Sequence, residues 1–198
     1  MRRIGEVVQS STTHFVAQAL RDGDALTMPK APPFGTFVRA VLEEEDLEVY
    51  GLVYHVETTS LDAVHRPMAL NLSRQELREQ QPQIFGLLRT DFSVVVTGYR
   101  EAGRLQQYLP PFPPMVHDFV YACTPDEVAG LTERLDFLRT VITFRQAPTD
   151  ELVASCLRQA YRLRGNDRSF LTVAGRSLSN LLKNDYDRLS AIMDRLGV

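Results

Sequence analysis

Lysine is nearly absent from this chain, and its scarcity argues against the large class of P-loop nucleotide-binding proteins. The 198 residues contain two lysines, Lys30 and Lys183, which follow Pro29 and Leu182. A phosphate-binding P-loop needs a Gly-Lys pair at the start of a helix, because the lysine neutralises the phosphates that the backbone amides hold. Neither lysine has that context. The sequence therefore predicts that the chain does not bind or hydrolyse ATP through a P-loop.

Cysteine and long apolar runs are also scarce. Cys123 and Cys156 are the two cysteines, and they fall in different predicted elements, which disfavours a disulfide framework and favours two reduced core cysteines. No stretch approaches the roughly 18 apolar residues of a transmembrane helix. The residues after Arg3 alternate between polar and apolar, unlike the apolar segment of a signal peptide. We therefore expect a cytoplasmic protein that does not contact the membrane.

Neither sign of charge dominates the chain. It has 22 basic and 25 acidic residues, for a net charge of −3. Proteins that bind phosphate backbones usually carry a clearly basic domain or stripe, so any nucleic-acid contact would have to be local. The one local surplus lies in residues 151–198, which contain eight basic and five acidic residues.

The residue patterns of common catalytic and metal sites are missing. The four histidines have no His or Glu partner at the spacing of zinc hydrolases, and no Cys-x-x-Cys occurs. Ser177 has a nearby glycine on one side alone, so it does not form a nucleophile elbow. No two carboxylates can be assigned as general acid and base from the sequence. We predict no catalytic residue, no cofactor-binding residue, no metal ligand and no enzyme activity, with an enzyme of unrecognised type as a further alternative.

The first 123 residues consist mainly of short β-rich runs separated by turn residues, as in a small barrel or sandwich. Between two of these runs, Ser73 and Glu76 have the spacing of a helix capping box, which predicts a helical insertion at about residues 70–90. The predicted strands span residues 4–8, 14–20, 36–42, 49–56, 92–99 and 116–122.

From Thr124 onward the apolar residues recur about every fourth position instead of every second position. Thr124, Pro125 and Glu127 together predict a helix start, with a cap, a proline at the first helical position and an acid two residues later. Apolar residues within 128–142, 152–160, 170–182 and 186–196 then predict four amphipathic helices. The predicted fold class is α+β, with a small β-barrel over residues 1–123 and a four-helix bundle over residues 124–198.

Two polar segments are candidate interaction surfaces. The run of four carboxylates at residues 43–46 repels itself and predicts a solvated hairpin tip. The loop at residues 164–168 combines a glycine suited to a helix C-cap with a capping Asn or Asp and two arginines, which predicts a helix-to-helix turn. The candidate interaction residues are Glu43, Glu44, Glu45, Arg164, Asn166 and Arg168.

The first half of the chain resembles a known family of protein domains. Three segments, Ile4-Gly5-x-Val7-Val8, Phe34-Gly35-x-x-Val38 and Gly51-x-Val53-x-x-Val56, resemble the HAS barrel, which is shared by the N-termini of HerA-type DNA-translocating ATPases and of ATP synthase subunits. Residues 110–128 are similar to the strand and helix that close that barrel in the HerA group. There the barrel precedes a hexameric P-loop motor, whereas a helical bundle holds that position here. The resemblance implies a non-catalytic collar for subunit assembly and partner docking.

Two hypotheses from different classes follow. The first is an assembly or adaptor protein whose barrel docks onto itself or onto a ring-shaped ATPase of a HerA-like DNA-translocating system, with open strand edges as the contact. The second is a nucleic-acid-binding barrel that stacks bases on its aromatic side chains. Such binding would be weak and steeply salt-dependent, because the basic surplus is confined to the bundle. The aromatic residues in question are Phe15, Phe34, Phe37, Tyr50 and Tyr54.

Overall fold

The computed structural model describes residues 2–21, 23, 27–61 and 68–197, and it confirms the predicted α+β class with a barrel followed by helices. The strands are β1 (Arg3–Ser10), β2 (His14–Ala19), β3 (Phe37–Leu42), β4 (Leu47–Ser60), β5 (Leu88–Glu101), β6 (Arg104–Gln106) and β7 (Phe119–Ala122). The helices are α1 (Arg74–Gln80), α2 (Gln83–Gly86), α3 (Pro125–Leu131), α4 (Leu138–Thr143), α5 (Thr149–Leu163), α6 (Arg168–Leu181) and α7 (Tyr186–Leu196).

Six of the strands in the described part of the chain close into an antiparallel barrel. Their order is β2-β1-β7-β3-β4-β5, and β5 pairs with β2 to complete the circle, from His14 opposite Val95 to Gln18 opposite Asp91. β7 pairs with both β1 and β3, so the last strand lies between two early ones. Closure gives each strand a neighbour on both sides. The expectation of open strand edges in the barrel is therefore wrong, while association of the chain stays a prediction.

Two glycines allow the barrel to close around its large interior side chains. A Cβ at Gly5 would lie 2.6 Å from the Phe92 ring, and a Cβ at Gly51 would lie 2.5 Å from the Val95 carbonyl oxygen. Both positions interrupt otherwise regular strands, and register shifts occur next to each of them. Glycine in a strand often marks such close approach.

The outer face of β3, β4 and β5 is covered by helices. Phe37, Tyr50, Leu52 and Val95 alternate with interior residues along these strands and belong to the same buried apolar cluster as α3, α4 and α5. α6 and α7 pack in turn against α5. Barrel and bundle therefore share one core on this side, in addition to the separate core inside the barrel.

The predicted first helix of the bundle is two helices in the structure. α3 ends at Leu131 and α4 begins at Leu138, so five helices rather than four follow the barrel among the described residues. The side chain of Gln107 satisfies backbone groups in the break. Its amide nitrogen donates to the carbonyl oxygens of Leu131 (2.8 Å) and Arg134 (2.9 Å), and its oxygen accepts the N–H of Phe137 (3.0 Å).

The helical insertion and the capping signals agree with the sequence, whereas two strand details differ. Reciprocal capping boxes join Ser73 to Glu76 and Thr124 to Glu127. The last barrel strand begins at Phe119 rather than at residue 116, because residues 116–117 form a turn. β6 was not predicted, since three residues are too few to show a period.

We predict that Gly51→Ala destabilises the protein by about 1–3 kcal/mol, because the added methyl group overpacks a closed barrel. Gly175→Ala is the matched control. A Cβ there meets only the Met193 methyl group, at 3.8 Å, and alanine favours the middle of a helix, so the control should stabilise by up to about 1 kcal/mol. Urea unfolding of both variants measures the difference. Equal effects of the two substitutions would contradict the packing explanation.

Candidate functional site

Four exposed carboxylates form the turn between β3 and β4. Glu43, Glu44, Glu45 and Asp46 project from the hairpin as predicted, and none of them forms an ion pair with another described residue. Leu42 and Leu47 pair directly across the two strands at the base of the turn and are both buried. We call residues 43–46 the acidic turn; its negative charge is held on a rigid support and is not compensated within the described residues.

A cleft of about 260 Å³ separates the acidic turn from residues 115–118. Burial raises the pKa of the Asp118 carboxyl group, and the charges of Glu44 and Glu43 raise it further, while a hydrogen bond from the Met115 N–H lowers it. Met115 and Val116 contribute exposed apolar surface to the same cleft. The cleft therefore combines negative potential with apolar surface.

The segment before β7 exposes large apolar side chains in a stiff backbone. Pro110 and Pro114 are buried and fix their own φ angles, which limits the movement of the residues between them. Exposed apolar surface that is held in place in this way commonly marks an interaction site. We call the exposed side chains of this segment the apolar ridge; they are Tyr108, Leu109, Phe112, Met115 and Val116.

The loop between α5 and α6 is the predicted helix-to-helix turn. Gly165 and Asn166 both have positive φ, and the Asn166 N–H reaches back to the Tyr161 carbonyl oxygen at 3.0 Å. Asp167 caps α6 by accepting the N–H of Ser169 at 2.8 Å. These hydrogen bonds satisfy backbone groups that the ends of two helices would otherwise leave open.

Arg164 has a structural role within this loop, whereas its neighbours Asn166 and Arg168 are exposed. The Arg164 guanidinium donates to the Ala129 carbonyl oxygen at 2.5 Å and to the Thr132 hydroxyl oxygen at 3.0 Å. It thereby ties the end of α5 to the end of α3. The predicted interaction residues thus lie in two places, with Glu43, Glu44 and Glu45 on the barrel and the other three on the bundle, and their role in binding stays a prediction.

Sequence reasoning missed a cluster of buried charges between barrel and bundle. The Arg39 side chain on β3 is 5% exposed and forms ion pairs with Glu48 on β4 and, at 2.9 Å, with Glu127 on α3. Glu127 also accepts the backbone N–H of Thr124 at 2.7 Å as part of the helix cap. One carboxylate therefore begins α3 and attaches it to the barrel. The sequence feature that could have indicated this cluster is the single arginine, Arg39, in the otherwise apolar run of residues 37–42.

Glu48 extends the cluster to the next strand. It accepts hydrogen bonds from the Tyr50 hydroxyl at 2.7 Å and from Arg100 on β5 at 3.0 Å. Burial, together with the hydrogen bond and charge of Glu48, raises the pKa of Tyr50 far above its ordinary value. Each charge in the cluster has a partner of opposite sign, as buried charges require. We call Arg39, Glu48, Arg100 and Glu127 the buried ion cluster.

The structure shows where the histidines and cysteines lie that the sequence analysis considered as metal ligands or reactive groups. In the described ranges, no group of three His, Cys, Asp or Glu side chains is arranged to hold a metal ion; His65 lies outside those ranges. Both cysteines are free thiols, and burial raises the pKa of Cys156 to about 12. None of the described helices has the length and apolar character to cross a bilayer.

The aromatic residues considered for base stacking are mostly core residues. Phe15, Phe37 and Tyr50 are fully buried, inside the barrel or beneath the helices, while Phe34 and Tyr54 are partly buried against the bundle. Tyr54 packs edge-on against Phe144, with ring centroids 5.0 Å apart. Stacking on bases requires an exposed ring face. These residues therefore do not form the stacking platform on which the nucleic-acid hypothesis relied.

Comparison with known protein families identifies the barrel. The family model of the HAS barrel domain matches residues 4–102, which is half of the chain and covers the barrel from β1 to β5. A search of curated proteins finds none that matches.

We predict that Arg39→Leu lowers the free energy of unfolding by about 3–5 kcal/mol, because Glu127, which is 11% exposed, loses its cation while Glu48 keeps Arg100 as a partner. Adding Glu127→Leu to this variant should recover part of the loss. The control is Arg134→Leu, whose partner Asp136 lies 2.5 Å away on an exposed surface and which should cost less than about 1 kcal/mol. Urea unfolding measures all three variants. Similar losses from Arg39→Leu and Arg134→Leu would show that the buried ion cluster does not hold barrel and bundle together.

Proposed function

Because the chain belongs to the HAS-barrel family, we propose that it is a non-catalytic docking protein that assembles through its barrel with a ring-shaped ATPase. The observation that carries the proposal is the apolar ridge, an exposed apolar surface on the proline-rich segment between β6 and β7. A monomeric protein rarely leaves such surface in water without a binding role.

The form of the apolar ridge suits docking. Phe112 and Met115 are each about half exposed, and they project from a backbone that two buried prolines hold in place. A surface that is already ordered loses little conformational entropy when it binds, so more of the contact energy appears as affinity. Large apolar and aromatic side chains of this kind are also enriched at the centres of interfaces.

The family supports the choice of a ring-shaped ATPase as the partner. The HAS barrel occurs at the N-termini of HerA-type DNA-translocating ATPases and of ATP synthase subunits, where it acts as a collar for assembly. A separate chain with the same barrel could pack against such a collar, with the bundle in the position that the motor occupies in its relatives. The proposal places the protein in the cytoplasm, next to a HerA-like DNA-translocating ATPase.

The charged groups support a role without catalysis. Arg39 and Arg100 balance the charges of Glu48 and Glu127 in the buried ion cluster, and the Arg39–Glu127 pair binds α3 to the barrel. The cleft beside the acidic turn carries like charges that would repel a phosphate-bearing substrate. The protein would therefore act by binding a partner that supplies the chemistry.

We predict that the double variant Phe112→Asp/Met115→Asp weakens binding to a purified HerA-type ATPase from the same genome by at least about tenfold, since carboxylates replace the apolar contact. The control Leu163→Asp/Val173→Asp introduces the same charge at two comparably exposed apolar positions on α5 and α6. It should bind like the unsubstituted protein. Sedimentation velocity with the intact ATPase ring measures both affinities. Absence of binding by the unsubstituted chain, or equal loss in the control, would reject the proposal.

We also predict that titration with MgATP produces no saturable heat of binding. The two lysines lie outside any P-loop context, and Lys183 follows the end of α6 rather than beginning a helix. Isothermal titration calorimetry is the measurement, with the partner ATPase as a positive control. Saturable binding by this chain alone would overturn the non-catalytic assignment.

A further inference from the structure

We propose that two copies of this chain associate head to tail, with the acidic turn of one copy seated in a basic cleft on the bundle of the other. This association uses different residues from the apolar ridge. It can therefore hold or fail independently of docking to an ATPase.

The basic cleft has a volume of about 440 Å³ and lies where α4, the end of α6 and the start of α7 meet. Arg139 and Lys183 are exposed on its walls, and neither forms an ion pair with another described residue. Asn180 and Asn184 add polar groups that can hydrogen-bond to carboxylates. An anion entering this cleft would meet two cations that have no ion-pair partner among the described residues, beside the Asp185 carboxylate that caps α7.

The other charges of the cleft already have partners. The Arg188 guanidinium pairs with Asp150 at 2.7 Å, and Asp185 accepts the backbone N–H of Arg188 at 3.1 Å as the cap of α7. These contacts keep the walls in place. Arg139 and Lys183 therefore carry the positive charge that is available to a partner.

The acidic turn complements this cleft in both charge and form. It projects as a hairpin tip, and its four adjacent carboxylates repel one another in the isolated chain. Cations placed between them would relieve that repulsion, and the Arg139 guanidinium can bind a carboxylate through two parallel hydrogen bonds. These pairs would be exposed to solvent, so the association would be weak and sensitive to salt.

Two features favour a second copy of the chain over other occupants. The acidic turn lies on the barrel and the basic cleft on the bundle, and each lines its own cleft, with no residue in common. A nucleic acid suits the cleft less well, because the whole chain is negative and two free cations provide little counterion release. A contact between different surfaces of identical chains is heterologous, so it continues into a ring or a filament.

The experiment uses two full-length variants that reverse the charge of one surface each. They are Glu43→Lys/Glu44→Lys/Glu45→Lys and Arg139→Glu/Lys183→Glu. Sedimentation velocity at low ionic strength should show concentration-dependent association of the unsubstituted protein and at least tenfold weaker association of each variant. Mixing the two variants should restore association, because the lysine turn then faces the glutamate cleft and the native turn faces the native cleft.

Matched controls separate this contact from general attraction between oppositely charged proteins. Glu57→Lys/Glu79→Lys/Glu133→Lys and Arg74→Glu/Arg104→Glu change the net charge by the same amounts at exposed positions elsewhere. These controls should associate like the unsubstituted protein, and circular dichroism should show that every variant is folded. The proposal is rejected if the unsubstituted chain is monomeric at all concentrations, if the controls weaken association equally, or if the mixture of folded variants stays monomeric.

Discussion

The ion pairs of Arg39 determine how this molecule is put together. A single guanidinium on β3 binds one carboxylate on the neighbouring strand and another at the first turn of α3. The Arg39 side chain is 5% exposed, and a charge buried to that extent is tolerated only when opposite charges pair with it, so both carboxylates stabilise it. The first helix after the barrel is therefore held at one position, and the apolar helices that follow build on it.

This arrangement divides the barrel surface into two parts. The outer face of β3, β4 and β5 is used internally, because Phe37, Tyr50 and Leu52 pack beneath the helices. The segment before β7 and the turn between β3 and β4 remain in solvent, and they hold the exposed apolar groups and the uncompensated carboxylates. A partner can approach the barrel only where helices are absent, so the position of α3 also selects the surface on which binding takes place.

Local signals in the sequence predicted those parts of the structure that depend on neighbouring residues. The capping boxes at Ser73 and Thr124, the solvated turn at residues 43–46 and the β-branched run of β5 each follow from a few adjacent side chains. The break between α3 and α4 depends instead on Gln107, which lies 24 residues before the first carbonyl group it binds. The pairing of β2 with β5 that closes the barrel likewise joins residues far apart in the chain, and so does the buried ion cluster. The local spacing of apolar residues does not predict which distant residues pair.

The position of β7 has a consequence for synthesis of the protein. β1 begins at Arg3, but the neighbour that covers one of its edges is β7, with Arg3 opposite Tyr121. The barrel cannot be completed until Ala122 has been synthesised, roughly 6–22 s after Ser10 at ordinary elongation rates. During that time β1 and β3 each lack the strand that separates them, and unpaired strand edges are prone to aggregation. We infer that the nascent chain depends on early pairing of β1 with β2 and of β3 with β4, since both hairpins form from local sequence while the rest of the barrel is being translated.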